Sequence, residues 1–133
     1  KGGNSLLNVG PTASGIIPEA SAKSLRGAGA WLDTNPVGTY HTRRGPSLGV
    51  PGVWATRDAA DAHRVYLHVF EWPSGGTIHL PANHVAGKLD HVTTAALANG
   101  THASLGLHRD ASGITITGPH DAPDAINTVI VLR

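Results

Sequence analysis

Cysteine and methionine are both absent from the 133-residue sequence, and aromatic residues make up only 5% of it. Without cysteine the chain has no disulfide framework, no thiolate zinc site and no cysteine nucleophile. An excess of one charge is also lacking, since 10 Lys and Arg oppose 9 Asp and Glu, for a net charge of +1. We therefore predict no nucleic-acid partner. We also predict no membrane partner, because no apolar run approaches the roughly 20 residues of a membrane-spanning helix.

Glycine and proline, by contrast, are abundant, with 17 and 9 residues respectively. Such a composition is typical of a chain with many turns and therefore many short strands. The length suits one ordinary domain and is too small for two complete ones. The sequence starts without methionine inside a strongly patterned segment, and we expect it to be the C-terminal piece of a longer protein.

The first third of the chain is patterned as one strand followed by one helix. The short apolar run at residues 5–9 predicts a strand buried on both faces. Pro18 and Glu19 are typical of the first turn of a helix, and Pro36 marks its end. Between them an apolar stripe recurs at helical spacing: Leu25, Ala28, Gly29 and Leu32, broadened by Trp31. A lone strand and helix leave much apolar surface uncovered, so this unit must pack against further chain.

After Pro36 the pattern changes to short strand-like runs separated by turn signals. Apolar and polar residues alternate over 103–108 and 114–117, as in antiparallel strands with one buried face. Residues 65–70 are apolar on both faces and predict the central strand. The seven predicted strands cover residues 52–56, 64–72, 77–80, 91–97, 103–108, 114–117 and 126–132. This spacing favours an antiparallel β-sandwich.

Four collinear segments carry a resemblance to a known family. Residues 1–18 read KGGNSLLNVGPTASGIIP, residues 29–35 read GAWLDTN, residues 65–73 read VYLHVFEWP and residues 124–132 read DAINTVIVL. Together they resemble the motifs of glycoside hydrolase family 29, the α-L-fucosidases. The chain departs from the family pattern at Ser5, Ser14, Pro36 and His41.

The resemblance implies a specific architecture: a catalytic (β/α) barrel followed by an antiparallel β-sandwich. Residues 1–36 would then be the last β-α unit of the barrel and a linker, and residues 37–133 the C-terminal sandwich. The fold class expected for this chain is mainly β, with one strand-helix unit left over from the barrel.

The resemblance also implies an activity for the parent protein, which would hydrolyse terminal α-L-fucose from glycans by a retaining mechanism. That mechanism uses two carboxyl groups, and the family's pair lies upstream of Lys1. We therefore expect no catalytic residue, no cofactor and no metal site in this chain, and no activity from it alone. The expected partners are a fucosylated glycan, bound through the missing catalytic domain, and the protein's own catalytic barrel. The linkage preference and the compartment are not predicted.

The polar residues that are present favour structural roles. Most of the nine carboxylates lie in turns or at helix ends, where capping is the simpler interpretation, and none is expected to be catalytic. The nine are Glu19, Asp33, Asp58, Asp61, Glu71, Asp90, Asp110, Asp121 and Asp124. The nine histidines form neither an H-x-H pair nor an H-E-x-x-H helix. His68 on the central strand is the exception to inspect, because a buried imidazole needs partners.

Other residues leave alternatives open. Trp31, Trp54 and Trp72 either stack on sugar rings or pack in the core, and packing is the simpler interpretation. Asn99 begins both a glycosylation acceptor and an Asn-Gly turn, of which the turn is favoured. Asn8 is expected to shape a turn, with support of the active site as the alternative.

A second function also remains open at this stage, namely a stand-alone, non-catalytic carbohydrate-binding β-sandwich. The first 33 residues discriminate between the two hypotheses, because a free-standing module has no use for an orphan barrel strand and helix.

Overall fold

A computed structural model describes residues 6–133 of the chain. In chain order the elements are α1 (Glu19–Thr34), β1 (Thr42–Arg44), β2 (Val53–Asp58), β3 (Val65–Val69), β4 (Thr77–Pro81), α2 (Ala82–Val85), β5 (Ala95–Leu97), β6 (Ser104–Asp110), β7 (Gly113–Thr117) and β8 (Thr128–Leu132). Neither helix of the described range is long and apolar enough to cross a membrane.

The eight strands form one antiparallel sheet in the order β1-β2-β3-β8-β5-β6-β7-β4. The sheet curls so that its two halves face each other, because side chains from β2, β3 and β8 share one core with side chains from β4 and β7. This arrangement confirms the predicted antiparallel β-sandwich with one preceding helix.

Strand β3 lies between β2 and β8, and all five of its residues are buried. Its alternate residues divide between two environments. Val65, Leu67 and Val69 enter the main core, whereas Tyr66 belongs to a smaller cluster on the outer face of the sheet. The predicted central strand is therefore confirmed over residues 65–69, and both of its faces are covered, whereas Phe70, which we expected to belong to it, lies beyond the strand and is 52% exposed.

The seven strands predicted after Pro36 are found, most of them with shifted ends, and two elements were not anticipated. Strand β1 carries Thr42, Arg43 and Arg44, a sequence with no apolar alternation, and it pairs only with β2 at the sheet edge. The short helix α2 also gives no periodic signal, since it has four residues. Pairing and packing, rather than local sequence pattern, determine both elements.

The expectation of a strand at residues 5–9 is wrong over residues 6–9, which have no regular structure; residue 5 lies outside the described residues. A parallel strand requires hydrogen-bonding neighbours in its sheet. None of the eight strands pairs with this segment.

Helix α1 begins directly after Pro18 and ends at Thr34, which confirms the predicted helix and its boundaries. Its apolar stripe is nevertheless not buried, since no residue of α1 is buried and Leu25 remains 37% exposed. Only Trp31, near the C-terminal end, packs against the buried cluster on the sheet. The helix is therefore attached to the sandwich at one end only.

Candidate functional site

The junction between α1 and the outer face of the sheet is the first candidate site. The Trp31 ring packs against the cluster formed by Tyr66, Val129 and Val131. Its Nε1–H donates a hydrogen bond of 3.1 Å to Oδ2 of Asp124. Oδ1 of Asp124 meanwhile accepts the backbone N–H of Asn127 at 3.0 Å, in the turn that precedes β8. One carboxylate thus shapes this turn and holds the end of α1 against the sheet.

A second polar contact joins the segment after α1 to the sheet, around His68. The His68 side chain is 9% exposed, and its Nε2 lies 3.1 Å from the carbonyl oxygen of Gly38. The hydroxyl of Thr56 donates to the same carbonyl at 2.7 Å. On the other side of the ring, Nδ1 lies 3.2 Å from Nδ2 of the Asn127 side-chain amide. The expectation that a buried His68 finds partners is confirmed.

These partners determine the protonation of the His68 imidazole. A carbonyl oxygen only accepts hydrogen bonds, so the proton lies on Nε2, and Nδ1 accepts from the Asn127 amide. Burial lowers the pKa of His68 below its ordinary value of 6.5, because desolvation penalises the charged ring, although the Gly38 carbonyl partly opposes this effect. His68 is therefore a neutral structural group that ties the Gly38 segment to the sheet.

The N-terminal side of the junction exposes several large apolar side chains. Leu6 is 96% exposed and Leu7 is 72% exposed, while Ile16, Ile17 and Leu25 are also exposed. We call these five residues the N-terminal apolar set. Exposed apolar residues in this number are typical of a surface that packs against another protein or domain.

Most carboxylates of the sandwich accept hydrogen bonds in turns, as predicted. Oδ1 of Asp58 accepts the backbone N–H of Ala60 at 2.9 Å, and its Oδ2 accepts the Tyr66 hydroxyl at 2.8 Å. The Ala60 N–H and the Tyr66 hydroxyl lower the pKa of Asp58, and the Ser112 hydroxyl and N–H lower that of Asp110. Burial raises the pKa of Tyr66. The carboxyl groups of Asp58 and Asp110 are therefore stabilised in their ionised form.

The histidines other than His68 lie mainly at turns and at the surface. His63 lies in the turn before β3, and its ring meets that of His91 edge to face, with 4.6 Å between the ring centroids. His79 bonds Thr115 on the neighbouring strand. Within residues 6–133, no three His, Cys, Asp or Glu side chains lie close enough together to hold a metal ion.

The remaining candidates have mainly local roles. Trp72 packs against the core, and its Nε1–H donates to the Pro119 carbonyl at 3.0 Å, as expected of a packing residue. Trp54 is 50% exposed on β2. Asn99 accepts the Thr101 hydroxyl at 2.6 Å in the turn between β5 and β6, which is the favoured interpretation of this motif. Asn8 is exposed.

Sequence reasoning missed the parts of the junction that come from distant loops. Asp124, Asn127 and Gly38 gave no indication that they meet Trp31 and His68. An available signal was the spacing of Asp124 before Ile126 and Asn127, which is typical of a side chain that accepts backbone N–H groups in a turn. The sequence does not show what the second oxygen of Asp124 contacts, because that partner, Trp31, is brought to it only by the fold.

Comparison with known proteins identifies the chain's relatives. The family model for Alpha-L-fucosidase matches residues 1–36. Plasma α-L-fucosidase of Rattus norvegicus is 36% identical over 74% of this chain, which covers 22% of the relative. α-L-Fucosidase of Dictyostelium discoideum is 31% identical over 92% of this chain, which covers 27% of the relative. The chain thus spans about a quarter of the length of these relatives.

The solved structures that this chain resembles are also those of α-L-fucosidases. α-L-Fucosidase isoenzyme 1 from Paenibacillus thiaminolyticus superposes with a TM-score of 0.70 at 27% identity, over 96% of this chain and 30% of that one. The α-fucosidase of Thermotoga maritima has the same fold, with a TM-score of 0.75 at 24% identity over 96% of this chain and 30% of that one. These relatives are glycoside hydrolases, and the helix followed by an antiparallel sandwich corresponds to their C-terminal portion. The chain therefore belongs to the α-L-fucosidase family.

Proposed function

We propose that this chain is the structural C-terminal portion of an α-L-fucosidase, and that the whole protein hydrolyses terminal α-L-fucose from glycans with retention. The observation that carries the proposal is the exposure of the N-terminal apolar set, all of which lies within the segment that the family model matches. A segment that exposes so much apolar side chain is completed by further protein.

The proposed division of the chain follows from the contacts of α1. Residues 1–36 would belong to the catalytic barrel as its last β-α unit and linker, and residues 37–133 would form the sandwich. Helix α1 supports this division because it contacts the sheet through Trp31 while the rest of its apolar stripe remains open. The open stripe would pack against the other elements of the barrel.

The junction gives the sandwich its role in this proposal. The Trp31–Asp124 bond and the His68–Gly38 contact hold the end of α1 and the following segment on the outer face of the sheet. Because α1 would belong to the barrel, these contacts would hold the sandwich in one fixed orientation relative to the barrel. The sandwich would thereby brace the barrel, while fucosylated glycans are bound by the remainder of the protein.

The catalytic carboxyl groups of the reaction are proposed to lie outside this chain. Retaining hydrolysis needs two carboxyl groups about 5–5.5 Å apart, one of which must protonate the leaving group. A general acid at neutral pH requires a raised pKa. The pKa values of Asp58 and Asp110 are instead lowered by their turn hydrogen bonds, so neither suits this role.

An assay on an aryl α-L-fucoside tests the proposal. We expect no release of the aryl alcohol by the purified 133-residue chain. The parent-length protein is expected to be active, and Leu25→Asp in it is expected to lower both its melting temperature and its activity. The control is Lys23→Asp, which reverses an exposed charge on the same helix.

Two results would contradict the proposal. Turnover by the chain alone, abolished by changing one of its carboxylates, would place the catalytic pair in this chain. Saturable binding of a fucosylated oligosaccharide by the chain alone, lost in Trp54→Ala, would favour the stand-alone carbohydrate-binding module instead.

A further inference from the structure

A cavity of about 440 Å³ at the β1 edge of the sandwich is lined by three cationic residues and no acidic one. Its lining consists of Arg44, Gly45, Pro46, Arg57, Ala62, Val65 and Lys88. Its volume lies in the range of about 300–1,000 Å³ that is common for small-molecule sites. A near-neutral chain has thus collected three of its ten cationic residues around one cavity.

The register of β1 and β2 places a further cation, Arg43, opposite one of the lining residues. Arg43 on β1 lies directly opposite Arg57 on β2, and Arg44 follows opposite Thr56. Like charges directly opposite each other on neighbouring strands are destabilising. The sheet therefore tolerates an electrostatic cost at this edge.

The cations of this edge are not neutralised within the described residues. Over residues 6–133, Arg43, Arg44 and Arg57 take part in no ion pair and no side-chain hydrogen bond. The ammonium of Lys88 donates one bond, to the His84 carbonyl at 2.9 Å, and keeps two further protons for other acceptors. Their donors thus remain available to an external acceptor.

The acidic residues nearest in sequence have other partners. Oδ2 of Asp58 accepts the Tyr66 hydroxyl and lies 3.6 Å from Arg64, while Asp61 lies 3.7 Å from the other terminal nitrogen of Arg64. Asp90 accepts the backbone N–H of Gly87 at 3.0 Å. None of these three carboxylates lines the cavity.

We propose that this cavity binds an oxyanion of the sulfate or phosphate type. Guanidinium groups present paired N–H donors that match the oxygens of such anions, and the Lys88 ammonium adds a compact positive charge. Ala62 is exposed and provides an apolar surface beside the cations on which a group that carries the oxyanion can rest. The bound anion would offset the repulsion between Arg43 and Arg57. The site goes beyond the proposed fucosidase function and does not depend on it.

A purely structural role for these cations makes a different prediction. β1 is an edge strand, and charges on edge strands prevent pairing with other chains. That role requires no bound anion. In that case, replacement of Arg57 would change the affinity for sulfate no more than replacement of any other exposed cation.

The test measures binding to the 133-residue chain at constant ionic strength by two-dimensional amide NMR and by thermal melting. The probes are inorganic sulfate, inorganic phosphate, galactose 6-sulfate and, as the uncharged control, galactose. We expect saturable shifts of the Gly45, Ala62 and Val65 amides and a raised melting temperature with the anionic probes only. Response to the inorganic anions alone identifies a free anion as the ligand, whereas a preference for galactose 6-sulfate identifies a sulfated sugar.

Arg57→Gln and Lys88→Gln are expected to weaken binding about ten-fold each, since each removes a charge-assisted contact. Arg57→Gln is also expected to keep or raise the melting temperature without anion, because it removes the opposed pair with Arg43. Arg26→Gln on α1, which removes one exposed charge that does not line the cavity, should leave the affinity within two-fold. Shifts that do not saturate, or that are the same in all three variants, would overturn the proposal.

Discussion

Replacement of Leu67 by alanine probes the centre of the sandwich. Leu67 lies on β3 opposite Ala55 on one side and Ile130 on the other, and it is 0% exposed. The change removes three carbon atoms, which corresponds to about 2.4 kcal/mol of transfer free energy at about 0.8 kcal/mol each. The cavity left between the packed strands adds to this loss, so we expect the free energy of unfolding to fall by roughly 3–4 kcal/mol.

The measurement is urea unfolding of the 133-residue chain, followed by circular dichroism. With a denaturant slope of about 1.5 kcal/mol/M, the midpoint should fall by roughly 2–2.7 M while the slope stays constant. Leu25→Ala is the matched control, because it makes the same chemical change at an exposed helix position and should cost less than about 0.5 kcal/mol. Ser104→Ala, at an exposed position of β6, should be equally mild. Equal losses for Leu67→Ala and Leu25→Ala would refute the central position of β3.

Two further predictions concern the junction. Asp124→Ala is expected to lower the free energy of unfolding by about 1–2 kcal/mol and to shift the Trp31 indole N–H resonance, since that donor loses its carboxylate partner. Asp121→Ala, which removes an exposed turn carboxylate, is the control. An unchanged Trp31 resonance in Asp124→Ala would contradict the hydrogen bond. Burial lowers the pKa of His68, so below about pH 6.5 the unfolded chain binds more protons than the folded chain. The contribution of His68 to the free energy of unfolding should therefore be constant above that pH and fall as the pH is lowered through the folded-state pKa. Urea titrations between pH 7.5 and 5 should show a smaller fall in His68→Gln than in His79→Gln, and identical slopes would exclude His68 as the cause.

The sequence predicted most of the sandwich because the required signals are local. Alternation of apolar and polar residues in β6 and β7 reports one buried face, and the turn-forming residues between strands mark their ends. α1 was predicted with nearly correct bounds, since Pro18 and Pro36 restrict the backbone around it. The same local reasoning failed for β1, whose three residues carry no alternation and are held only by pairing with β2.

The candidate site was predictable only in part, for the same reason. His68 could be singled out, because a histidine on a strand that is apolar on both faces must be buried and must then find partners. Its actual partners, Gly38 and Asn127, are 30 and 59 residues away along the chain. No local pattern specifies which loops meet at such distances.

The sequence by itself thus determined the antiparallel sandwich, the single preceding helix and the family resemblance, because each depends on residue types at short spacing. The tertiary structure decided that α1 is held at one end by Trp31 and Asp124, and that residues 6–9 pair with no strand. It also decided that Arg44, Arg57 and Lys88 surround one cavity. These features depend on which distant parts of the folded chain meet, and no local pattern of residues specifies that.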